Sequence, residues 1–245
     1  MNYLIGIDEA GWGPVLGPLV LAGVVVEDFS LPILERFGVK DSKLFGSGKQ
    51  AREKRKELWE RISPHLTGFS VKIISAEELD NGNTIDLEIK NIVRILNELN
   101  VVSPARQMAG GRFTCPDFIG GGTNYKIIIG LLGKLSKKKF INALFNLGCR
   151  IPPKKLIYEE KADRKYLPVS AASILAKITR DQEVEKICQE IGEEYVSGYP
   201  NPNTATFLKK YCGKYHRLPP QVRKTRKWFP LQRIIKKIQN SKFKI

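Results

Sequence analysis

Acidic residues are missing from long stretches of this chain of 245 residues. None occurs from Tyr195 to the C-terminus, and between Asn100 and Tyr158 the sole acid is Asp117. Histidine is scarce: His65 and His216 stand far apart. The four cysteines (Cys115, Cys149, Cys188 and Cys212) form no CxxC pair. Those spacings argue against a structural zinc site, and reduced thiols in a cytoplasmic compartment are the expectation. No apolar run approaches the roughly 18 residues of a membrane span. The N-terminus has no basic segment followed by a small-residue cleavage site, so no secretory signal is expected.

What is abundant is positive charge. Lys and Arg total 41 against 25 acids, a net of +16. The excess gathers late in the chain, through Lys209, Lys210, Lys214, Arg217, Arg223, Lys224, Arg226, Lys227, Arg233, Lys236 and Lys237. A field of one sign on this scale points to a polyanionic partner, most often nucleic acid. A basic surface kept for solubility is the plain alternative. The basic tail lacks the apolar face with which a membrane-surface helix inserts. With 42% hydrophobic residues, the chain can bury one large core, or one core with a small appendage.

Residues 3–8 and 17–26 read as strands, punctuated by Gly11, Gly13 and Pro14. Residues 49–62 read as a charged helix and 70–74 as a short strand. From 84 to 99, Ile85, Ile89, Ile92, Val93, Leu96 and Leu99 recur at helical spacing. A helix is expected near 126–147, a strand at 156–160, and helices over 171–189 and 203–214. Strands first, then helices alternating with strands, indicate an α/β or α+β sheet flanked by helices.

Four segments bear chemistry. In IGIDEAGWGP (residues 5–14), Asp8 and Glu9 are adjacent carboxylates at the end of an apolar strand. Neighbours in a strand face opposite ways, so both reach one cation only where the strand ends or bulges. Oxygen ligands of this kind suit magnesium or manganese. KDSK at 40–43 is a polar turn. In KADRKYLPVSAASILAKITRD (161–181), Asp163 precedes a helix on which Ser170, Ser173 and Lys177 can face an anion. SGYPNPNT (197–204) is a turn that presents Tyr199.

Taken in order, these segments resemble the signatures of ribonuclease HII, the type 2 ribonuclease H, and most of all its archaeal branch. IGIDEAGWGPVLGPLVLAGVVV, VKDSKL, KADRKYLPVSAASILAKITRD and SGYPNPNTATFLKKY, followed by LPPQVRKT, carry the resemblance over about half of the chain. It implies an α/β fold of the ribonuclease H type, with a mixed sheet flanked by helices. The division would be residues 1–194 as catalytic domain and 195–245 as a basic helical extension. It implies hydrolysis of the RNA strand of RNA/DNA hybrids and incision at ribonucleotides embedded in duplex DNA. Two divalent ions, Mg2+ or Mn2+, would be held by four carboxylates. Asp8, Glu9 and Asp163 match three of these. Gly11, Trp12 and Gly13 match the loop that reads 2′-hydroxyls, and Tyr199 the tyrosine that senses the ribose. Lys43, Ser173 and Lys177 are phosphate-holding candidates. A cytoplasmic monomer is expected.

Two departures stand out. Trp12 occupies the place of the family's usual arginine. The third carboxylate normally ends the strand after the 84–99 helix, and in that region only Asp117 is available. Aligned instead through Arg106-Gln107 and Gly110-Gly111-Arg112, the acid's place falls to Ala105. Glu159 or Glu160 would be substitutes. A homologue that binds hybrid or duplex nucleic acid without cleaving it is therefore the alternative.

Overall fold

The computed structural model describes residues 2–40, 45–46, 48–101, 124–130, 133 and 135–240. Its centre is a mixed five-stranded sheet in the order β3-β2-β1-β4-β5. The strands are β1 (Asn2–Ala10), β2 (Leu19–Glu27), β3 (Gly68–Ile74), β4 (Asn124–Gly130) and β5 (Leu156–Glu159). β1, β4 and β5 run parallel, with Ile7 level with Ile129, and Ile129 level with Tyr158. Parallel strands are buried on both faces and read as apolar runs. KIIIG in β4 is such a run, and Ile127, Ile128 and Ile129 are buried.

Among the described residues the helices are α1 (Leu31–Arg36), α2 (Lys49–Ile62), α3 (Ala76–Asn81), α4 (Thr84–Glu98), α5 (Lys137–Asn146), α6 (Ala162–Lys165), α7 (Leu167–Gln189), α8 (Pro202–Tyr215) and α9 (Phe229–Asn240). The charged helix α2 has the expected bounds. It buries one stripe, Ala51, Arg55, Leu58 and Ile62, at spacings of four, three and four. Segment 126–147 differs from expectation: its first part is β4 and only its second part is the helix α5. Ser136 caps α5 by accepting from the Lys139 amide. α7 begins four residues earlier than expected, at Leu167, because Pro168 is tolerated in a first turn.

The chain forms two compact units. The first comprises Met1–Glu9, Leu21–Lys72 and Thr84–Ile178. Two close approaches lock its layers. A Cβ on Gly23 would lie 2.3 Å from Ile95 and 3.6 Å from Ile7, so α4 lies directly on the β1–β2 face. A Cβ on Gly6 would lie 2.2 Å from the Pro168 carbonyl carbon, so the start of α7 presses on the opposite face of β1. The second unit comprises Ala10–Val20, Ile73–Asn83 and Thr179–Ile245. Its core gathers Val15, Leu16, Val184, Phe207, Leu208, Tyr211, Val222 and Leu231, and Leu16 bridges to Val222.

Backbone atoms meet the missing Gly6 side chain, so no rotamer change can relieve the overlap. Gly6→Ala is expected to cost at least about 2 kcal/mol of stability, as overpacking does. Denaturant unfolding checks this; an unchanged midpoint would contradict the close packing of α7 on β1.

Candidate active site

Asp8 and Glu9 occupy the last turns of the pleat of β1, both partly buried. Although neighbours in a strand, their side chains share a hydrogen bond. The two carboxyl groups meet although their side chains leave the strand on opposite faces. Their surroundings differ by face. Asp8 lies on the Gly6 side of β1, the side against which α7 packs. Glu9 lies on the Ile7 side, beneath α4.

α4 brings a further acid. Ile95 touches the sheet at Gly23 beside Ile7. Glu88 precedes Ile95 by two helical turns, roughly 10 Å, and Glu9 follows Ile7 by one strand repeat, roughly 7 Å. The N-terminal end of α4 also adjoins the residues beyond β4, with Ile85 lying 3.8 Å from where a Gly133 Cβ would stand. Glu88 is wholly buried there, and its charge acts on Glu9. Burial first, then the charges of Asp8 and Glu88, push the Glu9 carboxyl up to about 8. The sequence pattern does carry a signal for Glu88. At one step from Ile89, three from Ile85 and four from Ile92, it is a carboxylate on an apolar face.

Asp8 and Gly130, the last residue of β4, each follow the paired Ile7 and Ile129 by one residue. A Cβ on Gly130 would stand 3.7 Å from Asp8 Oδ1, an ordinary contact distance. The end of the next described strand after α4 therefore carries no side chain. Asp117, expected as the third carboxylate, lies outside the described residues, as do Ala105 and Lys43. Glu159, at the end of β5, forms an ion pair with Lys165 at 3.0 Å. Glu160 follows it in an exposed turn.

Asp163 is in the single turn of α6, just after β5 and at the same carboxyl edge of the sheet. Its backbone carbonyl accepts a hydrogen bond from the Ser170 hydroxyl. Ser170 therefore braces the α6–α7 corner rather than facing an anion. Ser173 is buried and Lys177 partly exposed, one turn apart on α7. Among the described residues, no group of three or more His, Cys, Asp or Glu side chains is gathered tightly enough to hold a metal ion. Asp8 and Glu88 both act on Glu9. An all-oxygen, multiply acidic set suits a hard divalent cation, which would offset the repulsion that raises Glu9.

In the second unit, the Gly11–Trp12–Gly13 loop meets Tyr199. A Cβ on Gly13 would stand 3.4 Å from the Tyr199 ring. The Gly198 carbonyl accepts from the Val15 and Leu16 amides at 2.9 and 3.2 Å. Gly198 needs its left-handed φ of 72°, and a Cβ there would collide with the Leu16 carbonyl at 2.3 Å. Two buried arginines, not singled out from sequence, hold the loop. Arg223 donates from Nε to the Gly17 carbonyl at 3.0 Å and from Nη1 to the Trp12 carbonyl at 3.3 Å. Arg180 donates to the Ser197 carbonyl, and its guanidinium lies 5.3 Å from the Tyr199 ring centre. Burial, then the charges of Arg226 and Arg180, lower Arg223 to about 9.

The sheet order, the parallel β1-β4-β5 core and carboxylates at its carboxyl edge define a ribonuclease H-like fold. The solved ribonuclease H2 from Pyrococcus horikoshii superposes with a TM-score of 0.73 at 31% identity, covering 97% of this chain and 99% of that one. The chain in the PCNA:RNase HII complex from Archaeoglobus fulgidus superposes with a TM-score of 0.66 at 30% identity, covering 91% and 94%. The family model described as Ribonuclease HII matches residues 5–108 and 137–228. The ribonuclease HII of Thermococcus sibiricus is 37% identical over 240 residues, 97% of this chain and 93% of that protein. The chain belongs to the ribonuclease HII family, whose members are metal-dependent endoribonucleases. Residues 109–136, which include β4 and Gly130, fall outside the matched segments.

The raised Glu9 sets a pH dependence. Between the ordinary glutamate value, about 4.3, and about 8, the folded state keeps a proton that the unfolded chain has released. Stability therefore falls as pH rises through that window. In EDTA, the melting temperature is expected to decline from about pH 5 to about pH 8. Glu9→Gln should flatten the decline, and Mg2+ should raise the melting temperature at the alkaline end. An equal decline in Glu9→Gln would contradict the assignment.

Proposed function

We propose that this chain hydrolyses the RNA strand of RNA/DNA hybrids and incises duplex DNA at embedded ribonucleotides, through a site holding two divalent ions. The observation that carries this reading is the hydrogen-bonded Asp8–Glu9 pair, held in charge contact with buried Glu88 at the end of β1. A fold has little reason to assemble such repulsion except around a cation.

Asp8, Glu9 and Asp163 would hold the ions, with Glu88 as the carboxylate that compensates for Gly130. When bound, two such ions activate a water and stabilise the leaving oxygen in an in-line displacement. The protein's own part is placement. β1 fixes Asp8 and Glu9 at its end, and the braced α6–α7 corner fixes Asp163. Ser173 and Lys177 would engage phosphate. The Gly11–Trp12–Gly13 backbone would meet the 2′-hydroxyl, the group that separates RNA from DNA. Tyr199 would stack at the ribose. The surplus of cations supplies sequence-independent affinity for the backbone.

Gly130 favours a second reading. With no side chain at the end of β4, the chain would bind hybrid duplexes without cleaving them. One assay separates the two: incubation of a duplex carrying a single ribonucleotide with Mg2+ or Mn2+. Cleavage by the parent, abolished in Asp8→Asn, is expected. Binding without cleavage would establish the second reading, and absence of salt-sensitive duplex binding would remove both.

The place given to Glu88 has its own measurement. Glu88→Gln is expected to weaken Mn2+ affinity by calorimetry about 10- to 100-fold. Gly130→Asp, for which the glycine site has room, is expected to recover affinity in that background. Unchanged Mn2+ affinity in Glu88→Gln would remove Glu88 from the site.

A further inference from the structure

The loop between Gly11 and Gly13 carries an aromatic side chain, and a cation reaches it from the far end of the sequence. Trp12 is 44% exposed, unusually open for so large a ring. The Arg226 guanidinium stands 5.5 Å from the Trp12 ring centre, within cation–π range. Its Nη2 also donates to the Trp12 carbonyl. One residue thus contacts both the ring and the backbone of position 12.

Arg226 is set there by the turn that precedes it. Asp80 accepts from the Lys224 amide at 2.7 Å, the Thr225 amide at 3.1 Å and the Thr225 hydroxyl at 2.6 Å. The Arg226 amide donates to the Arg223 carbonyl at 3.2 Å. The Arg226 carbonyl accepts from the Trp228 amide at 2.9 Å and from Gln232 Nε2 at 2.9 Å. A guanidinium usually gives up rotamer freedom when it binds a ligand. Here much of that freedom is already gone.

The surrounding charge identifies the ligand class. Arg226 and Arg180 both lie close enough for their charges to act on Arg223. The nearby acids are occupied: Asp181 with Arg180 at 3.0 Å, and Asp80 with the 224–225 backbone. A planar donor fork lying on an exposed ring, in a field of positive charge, is matched to a phosphodiester with its adjoining sugar.

We infer that Arg226 and Trp12 act as one recognition unit, the guanidinium taking a backbone phosphate of a nucleic-acid duplex and the ring packing against the neighbouring sugar. Arg226 then supplies, from 214 residues away, the cation absent from position 12. This rests on the proposed nucleic-acid substrate but not on cleavage.

The test is equilibrium binding of a fluorescent RNA/DNA hybrid across a salt series, with Ca2+ in place of Mg2+, alongside melting temperatures. Arg226→Ala is expected to bind about tenfold more weakly. The slope of log affinity against log salt should fall by about one. Arg226→Lys, which keeps charge but loses the planar fork, is expected to keep the slope and recover only part of the affinity. Exchanging the pair, W12R with R226W, should recover the slope. Parental affinity and slope in Arg226→Ala would overturn the inference. So would a weakened affinity with an unchanged slope and a lowered melting temperature, which marks a purely structural role. A parent that binds the hybrid but does not cut it counts against the hydrolytic reading alone.

Discussion

The crowding of acidic side chains in a buried setting at the end of β1 is the constraint on which the rest depends. Asp8 and Glu9 share a hydrogen bond, and the charge of Glu88, fully buried on α4, acts on Glu9. Without compensation, such a group costs free energy in proportion to its desolvation. The sheet and helices tolerate it because they are locked at Gly6 and Gly23, where α7 and α4 press on the two faces of β1. Gly6 lies two residues before Asp8 on β1, and Gly23 lies on the neighbouring strand β2.

The same economy operates in the second unit, with signs reversed. Arg180, Arg223 and Arg226 are drawn together around Ser197, Trp12 and Gly17, and backbone carbonyls rather than carboxylates receive most of their donors. Carbonyl acceptors orient a guanidinium without neutralising it. The positive field of the chain is therefore concentrated rather than cancelled at the Gly11–Trp12–Gly13 loop. A cluster of guanidiniums left largely without carboxylate partners suits a polyanion.

Much of this was legible in the sequence. The stripe of α2, the apolar period of α4 and the β-branched run of β2 follow directly from residue spacing. The ordered motifs place Asp8, Glu9, Asp163 and Tyr199 correctly on their elements. Residues 126–130 form a strand where a helix is expected, because a short apolar run does not distinguish a buried strand from a helix. Glu88 is hidden from a periodicity reading, which follows the apolar members of α4, whereas the informative residue is the polar one among them. Gly130 and Arg226 could not be found by local pattern at all. Their meaning lies in a register across two strands and in a contact spanning 214 residues.

Anomalous diffraction from crystals grown with Mn2+ tests the central claim most directly. The account requires manganese within about 2–2.3 Å of carboxylate oxygens of both Asp8 and Glu9, with Glu88 in the same coordination or hydrogen-bonded network. Manganese bound only elsewhere on the surface, with Asp8, Glu9 and Glu88 still engaged solely with one another, would contradict it.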